Sequence, residues 1–229
     1  MKKFKLTSEF IVDISGVKLF RIKALIEFGN VKAGDLGGYI EKEENLSHMG
    51  DAWVSDDARI SGNAQVFGNA QVFGDAQVFG DAWVFGNAWV FGHAWVFGNA
   101  RVSGNARVSG NARVFGNAWV SGNARVFGDA QVSGNARVSG NARVSGDAQV
   151  FGDARVSGDK DYAYAHGFGS CNRTTTFFRL KDGDVGVRCG CFYGTLAQFR
   201  DKVCETHGET KKAQEYLMLA DLMEIRFKN

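Results

Sequence analysis

Histidine and cysteine are the residues with chemistry to offer here, and there are four of each in 229 residues. His93 lies in the stretch GDAWVFGNAWVFGHAWVFGNARVSG, residues 80–104. A histidine there could serve as a general base. A catalytic zinc would need three protein ligands around an open position, and His48, His166 and His207 lie outside the regular run. His93 fills a slot that elsewhere holds Asn or Asp, and no inserted loop breaks the run to wall a pocket beside it. A turn residue with a neighbouring carboxylate is the preferred reading, and general-base catalysis at His93 is the alternative. Cys189, Cys191, Cys204 and His207 form a second set. Cys204 and His207 are three apart on one helical face, which suits ligation, but Cys189-Gly190-Cys191 is tighter than the usual zinc spacer. The two cysteines are read as small core residues on one face of a strand. Neither a metal nor a cofactor is expected.

These residues must be positioned by a repeat. From Ala52 to about Ser157 the chain obeys A-x-V-[SF]-G-[ND] with a period of six. The aliphatic slot runs without a break from Val54 through Ile60 to Val156, and the slot two residues earlier is always Ala. Within each hexad A-x-V alternates as a strand does. Gly and Asn or Asp then tolerate left-handed backbone angles and turn the chain. Three strands and three turns close a triangle of eighteen residues, with Ala and Val lining the bore. Eighteen hexads predict about six coils, roughly 29 Å of stack at ~4.8 Å per coil.

Folding the sequence at eighteen residues sorts the outward slots. One face stacks Gln65, Trp83, Arg101, Trp119, Arg137 and Arg155. A second stacks Gln71, Trp89, Arg107, Arg125 and Arg143, and a third Gln77, Trp95, Arg113, Gln131 and Gln149. Trp83, Trp89 and Trp95 therefore ring one coil, one per side. Trp and Arg neighbours suit cation–π stacking at about 0.5–1 kcal/mol per exposed contact. Such ladders either stabilise the stack or form a partner surface, since Trp and Arg are typical hot-spot residues. Trp83, Trp89, Trp95, Trp119, Arg101, Arg107, Arg125 and Arg143 are the candidate binding residues. Phe67, Phe73, Phe79, Phe85, Phe91 and Phe97 encircle the same coils, and so large a wet aromatic belt predicts a cover from terminal segments or another subunit. The corner slots fold into columns too: His93 falls between Asp75 and Asn111, and the other two corners are mostly Asn.

Composition narrows the partners. The net charge of +2, with five Asp against seven Arg between residues 62 and 158, is too balanced for a nucleic-acid binder, so a nucleic-acid or nucleotide site on the Arg ladders is a further alternative only. A chain with 30 Gly, no Pro and 45% apolar residues is not disordered. No apolar run is long enough for a membrane span, and MKKFKLTSEFIVD lacks an export signal. A reducing, cytoplasmic compartment is expected for its thiols.

The ends read as caps, which repeat arrays need. Residues 1–50 form an N-terminal β cap: KFKLT, FIVDI and VKLFRIKAL look like strands, with a turn at Asp13–Gly16. Residues 51–159 are the repeat. Residues 160–229 form an α+β cap, in which TTTFFRL and DVGVRCGCF flank the turn Lys181-Asp182-Gly183-Asp184. Thr195 with Gln198 is a capping box ahead of LAQFRDKVCETH, which Gly208 ends. Thr210 or Glu209 opens KKAQEYLMLADLMEIRF, with Leu217, Ala220, Leu222 and Ile225 as the packed face.

The hexads resemble those of the left-handed parallel β-helix, the hexapeptide-repeat superfamily, whose rule of a small residue two before an aliphatic one is met throughout. GDLGGYIEKEENLS, the GNARV and GDAQV hexads and CFYGTLAQF…ETHG together are similar to uncharacterised hexapeptide-repeat proteins of bacteriophages and prophages. The resemblance implies a mainly β, left-handed parallel β-helix and a bacterial host cytoplasm. Many members of the superfamily are acyltransferases, so the resemblance implies acyl transfer with His93 as general base as the alternative; the phage proteins bring no agreed reaction and no catalytic residues. The expected function is a non-enzymatic scaffold or binding protein, self-associating as a homo-oligomer or docking a host protein as an inhibitor.

Overall fold

The computed structural model describes residues 2–169 and 173–228. Eighteen two-residue strands, from Trp53–Val54 to Arg155–Val156, wind into a three-sided parallel β-solenoid. Each strand pairs in parallel with those eighteen residues before and after it. The pairs Gln65–Trp83, Trp83–Arg101 and Arg101–Trp119 build one face; Gln71–Trp89, Trp89–Arg107 and Arg107–Arg125 build the next; Gln77–Trp95 and Trp95–Arg113 belong to the third. The three faces have the registers that the eighteen-residue fold predicts.

The reason lies in the bore and the corners. Every Ala from Ala52 to Ala154, and every Val or Ile from Val54 to Val150, has no exposed surface, so each hexad delivers one small and one medium apolar side chain inward. At the corners the glycine turns the chain with positive φ, as at Gly86 with φ +70, and a Cβ there would come 3.0 Å from the backbone nitrogen of Gly104. The first corner departs from the rule: Asp56 takes the glycine slot at φ 55, and its carboxylate accepts a 2.9 Å bond from the Gly74 amide.

The stack is about a turn longer than the hexads alone predict. Strand β3 (Leu36–Ile40) pairs in parallel with Arg59–Ile60, and Leu46 bridges Val66, giving about seven turns. Strands β1 (Phe4–Val12) and β2 (Lys18–Ala24) continue the third face as an antiparallel pair. KFKLT and FIVDI, expected as separate strands, form the single strand β1 with a register shift between Leu6 and Phe10. The Asp13 carboxylate closes the turn after β1, accepting from Ser15 N, Ser15 Oγ and Val17 N. These bonds, the Ser15 hydroxyl first, hold its carboxyl below the usual range.

The C-terminal unit is a four-stranded antiparallel sheet, Tyr162–Phe168, Arg173–Arg179, Val185–Cys189 and Phe192–Thr195. It carries helices α1 (Leu196–His207) and α2 (Lys211–Phe227). Phe177 and Phe178 point to opposite sides of one strand. Phe178 joins Tyr162 in closing the solenoid core, and Phe177 packs with Phe199, Val203, Tyr216 and Phe227 in a second core. The Thr195–Gln198 capping box is formed. The packed face of α2 is Ala213, Tyr216, Ala220, Met223 and Phe227. Ala220 was expected there. Leu222 and Ile225 instead stand 54% and 70% exposed beside Met218 at 71%, because the aromatic residues at 216 and 227 set the buried stripe.

The two open ends are met by opposite chemistry. The first coil presents mainly carbonyls. The Lys3 ammonium donates to Gly50 O and Ala52 O at 3.1 and 2.7 Å, and the Asn45 amide donates to Gly62 O and Ala64 O at 3.1 and 2.9 Å. The last coil presents mainly N–H groups. Those of Arg143, Gln149 and Ser157 donate to Asp159, Thr176 and Asp161 side chains. Side chains thus stand in for the missing rung, so few buried backbone groups are left orphaned.

Candidate functional site

The aromatic slots interlock. Phe67 stacks on Phe85, Phe73 on Phe91 and Phe79 on Phe97, each at 4.9 Å between ring centroids and nearly parallel. Phe97 continues onto Phe115 at 5.0 Å. Trp83, Trp89 and Trp95 meet Phe67, Phe73 and Phe79 edge-on at 6.1, 6.1 and 6.2 Å. Part of the belt is therefore covered by its own rings. Trp83 and Trp89 remain 38% and 40% exposed.

Arginine supplies the rest of the cover. Arg101 lies over Trp83 at 5.1 Å, Arg107 over Trp89 at 4.8 Å, Arg113 over Trp95 at 5.1 Å and Arg137 over Trp119 at 5.7 Å. In each pair the arginine is on the following rung. Trp119 also donates its indole N–H to Ser103 Oγ at 2.9 Å. Of the eight candidate residues, Trp83, Arg101 and Trp119 share the first face, Trp89, Arg107, Arg125 and Arg143 share the second, and Trp95 stands on the third. They form two ladders and an outlier rather than one pocket.

His93 stands on the corner between the second and third faces. Its Nδ1 is 3.5 Å from Asp75 Oδ2 and the ring is 68% exposed. The corners between the other faces carry amide ladders. Asn69, Asn87, Asn105, Asn123 and Asn141 donate one to the next at 3.1–3.2 Å, and Asn99, Asn117 and Asn135 do likewise to end on Asp153.

Two clefts border the first face. One of about 690 Å³ runs between the N-terminal segment and the first coils, lined by Lys2, Glu43, His48, Phe67 and Trp83. His48 is fixed there: Nδ1 accepts from the Lys3 amide at 3.1 Å, so Nε2 is placed to donate to Glu43 at 2.7 Å, and the ring stacks on Phe4 at 4.3 Å. The Lys2 ammonium, with His48, holds the Glu43 carboxyl below its ordinary range. The other cleft, about 470 Å³, is lined by Arg101, Arg137, Arg155, Lys181 and the amide column ending on Asp153.

The cysteines do not converge. Cys189 ends a strand, accepts from Thr175 Oγ1 at 3.2 Å, and the chain turns at Gly190 with φ 58. Cys191 is left exposed in the turn, so the pair does not share a strand face as expected. Among the described residues no three His, Cys, Asp or Glu side chains are grouped to hold a metal; Cys171 lies outside them. Nor is any helix among them long and apolar enough to cross a membrane.

Fold and faces together define a capped, ladder-bearing parallel β-solenoid repeat protein. A family model described as the YdcK Beta solenoid repeat matches residues 58–74, 106–122, 118–134 and 130–146, all inside the coils. No curated protein matches the chain. The likeness is to the repeat, and it brings an architecture rather than a chemistry.

Sequence reasoning did not find Lys3, Asn45 or His48. Lys3 and Asn45 are read only once the coil edge they close is known. His48 carries no spacing signal.

Proposed function

We propose that the protein is a non-enzymatic scaffold whose Trp, Arg and Phe ladders dock a protein partner, in the first place another copy of itself. The observation that carries this reading is the pair of indoles, Trp83 and Trp89, left about two-fifths exposed on a rigid face after their own rings and arginines are satisfied. The apolar stripe Met218, Leu222 and Ile225 on α2 adds a second uncovered surface. The unbroken hexads favour a left-handed winding, and the terminal segments GDLGGYIEKEENLS and CFYGTLAQF favour a phage origin and a bacterial cytoplasm, where a host protein is a second class of partner. Exposed His93, whose Nδ1 lies 3.5 Å from Asp75 on its own corner, favours the turn role over acyl transfer. Sedimentation of the intact chain tests the reading. More than one chain per particle is expected, and Trp89→Ala should weaken assembly about tenfold or more, a hot-spot loss, with the coil still folded by circular dichroism. A particle of one chain at micromolar concentration removes self-association.

A further inference from the structure

The near-balance of charge over the repeat hides a local excess. The cleft of about 470 Å³ on the first face has Arg101, Arg137, Arg155 and Lys181 in its walls, with Asp153 as its one carboxylate. None of these four cations is in an ion pair with a carboxylate among the described residues. Asp153 instead uses Oδ1 to accept the last amide bond of the Asn99 column at 3.2 Å. Arg137 and Arg155 stand on adjacent rungs, and like charges so placed oppose folding. A bound anion would relieve them.

The walls are held in place. Arg155 Nη1 donates to the carbonyls of Asn135, Asp153 and Ala154 at 3.1, 3.3 and 2.9 Å, which fixes the guanidinium and leaves Nη2 and Nε without a partner among the described residues. Arg137 lies over Trp119, whose indole is tied to Ser103. Lys181 arrives on the C-terminal unit. Its amide donates to Asp153 O at 3.2 Å, next to the bridge between Leu180 and Ala154, so the cleft is stopped at that end. Along the corner, Asn99, Asn117 and Asn135 each spend one amide N–H on the next side chain of the column, and the second N–H of each remains for a ligand.

Size and charge choose that ligand. The rungs of Arg101 and Arg155 are three apart, about 14 Å at ~4.8 Å per rung, more than a single phosphate can bridge. A polymer running along the column would meet the C-terminal turn, whereas the volume suits a small molecule. Guanidinium forks match the oxygens of phosphoryl groups. We propose that this cleft binds a small molecule carrying two or more linked phosphoryl groups, held by Arg155 and Lys181 at the closed end and by Arg137 along the face. It reads those groups rather than the molecule that bears them, and it does not depend on self-association. Arg101 also rests on Trp83, so the test leaves Arg101 in place.

Titration calorimetry of the intact protein with inorganic tripolyphosphate tests it, with inorganic phosphate, citrate and a short single-stranded oligonucleotide as comparison probes. One tripolyphosphate per chain is expected, bound at least about tenfold more tightly than phosphate or citrate and weakening as salt rises. Replacing Arg137 and Lys181 together by Gln, the residue that the slot of Arg137 holds at Gln65, should reduce the affinity at least about tenfold, because charge-assisted hydrogen bonds are lost. Arg125→Gln on the second face should leave it unchanged. Tripolyphosphate that fails to bind at low salt, citrate bound as tightly, undiminished binding by the double variant, an equal loss with Arg125→Gln, or an oligonucleotide bound more tightly than tripolyphosphate would each overturn the proposal. Circular dichroism and sedimentation of the Gln variants separate loss of binding from loss of fold or of assembly.

Discussion

Lys3 has the most consequential side chain outside the repeat. It is 1% exposed and closes two carbonyls of the first coil while its ammonium lies 4.7 Å from the Phe28 ring. Burial lowers its pKa to about 8, partly offset by Asp51. Between about 8 and 10.5 the unfolded chain holds a proton at Lys3 that the folded chain has released, so stability from this residue rises with pH across that window. Lys3→Met should flatten this part of a stability–pH profile. It should also cost about 1–3 kcal/mol in denaturant unfolding at neutral pH, because two carbonyls lose their donor. Arg125 makes the opposite case. It has like-charged neighbours on both adjacent rungs, and Arg125→Gln should raise the melting temperature, by up to a few degrees for a gain of under about 1 kcal/mol.

At the scale of the element, the hexad leaves little freedom. The Ala slots have no exposed surface, and an extra pair of methyl groups in the bore should force off-rotamer packing. Ala106→Val should destabilise by about 1–3 kcal/mol, read as a lower urea midpoint at constant slope. The coils were legible in the sequence because one period governs bore, corner and face at once; Trp83 could be placed beside Arg101 by counting to eighteen. Irregular segments were not legible in this way. Residues 36–46 add coil without the Gly-Asn punctuation, since Ile40 and Leu46 fill aliphatic slots from unrelated local sequence. In α2 several apolar residues compete for the buried stripe, and contact with the sheet chose Tyr216 over Leu222. The candidate ladders were readable as columns. The cleft that Arg101, Arg137 and Arg155 line with Asp153 and Lys181 was not, because Lys181 arrives from the C-terminal unit, outside the period.

The whole molecule is a rod with unlike halves and unlike ends. Indoles and phenylalanines occupy the earlier coils, arginines and serines the later ones, and each end carries a plug of matched polarity. Stability in such an array is close to a sum over neighbouring coils. Excising residues 105–122, one full circuit, should therefore leave a folded, cooperatively melting protein in which Asn123 succeeds Asn87, with a lowered but still single transition in a thermal melt. Several transitions, or a loss of fold, would show that coupling extends beyond adjacent coils.

Because the bore is lined by the same two residues at every step, the rod behaves as a screw thread. Each hexad gained or lost changes its length by a third of a pitch and swings one plug about the axis by a third of a revolution relative to the other. Duplication within so repetitive a coding sequence would thus alter reach and bearing in fixed increments, without disturbing what fills the middle.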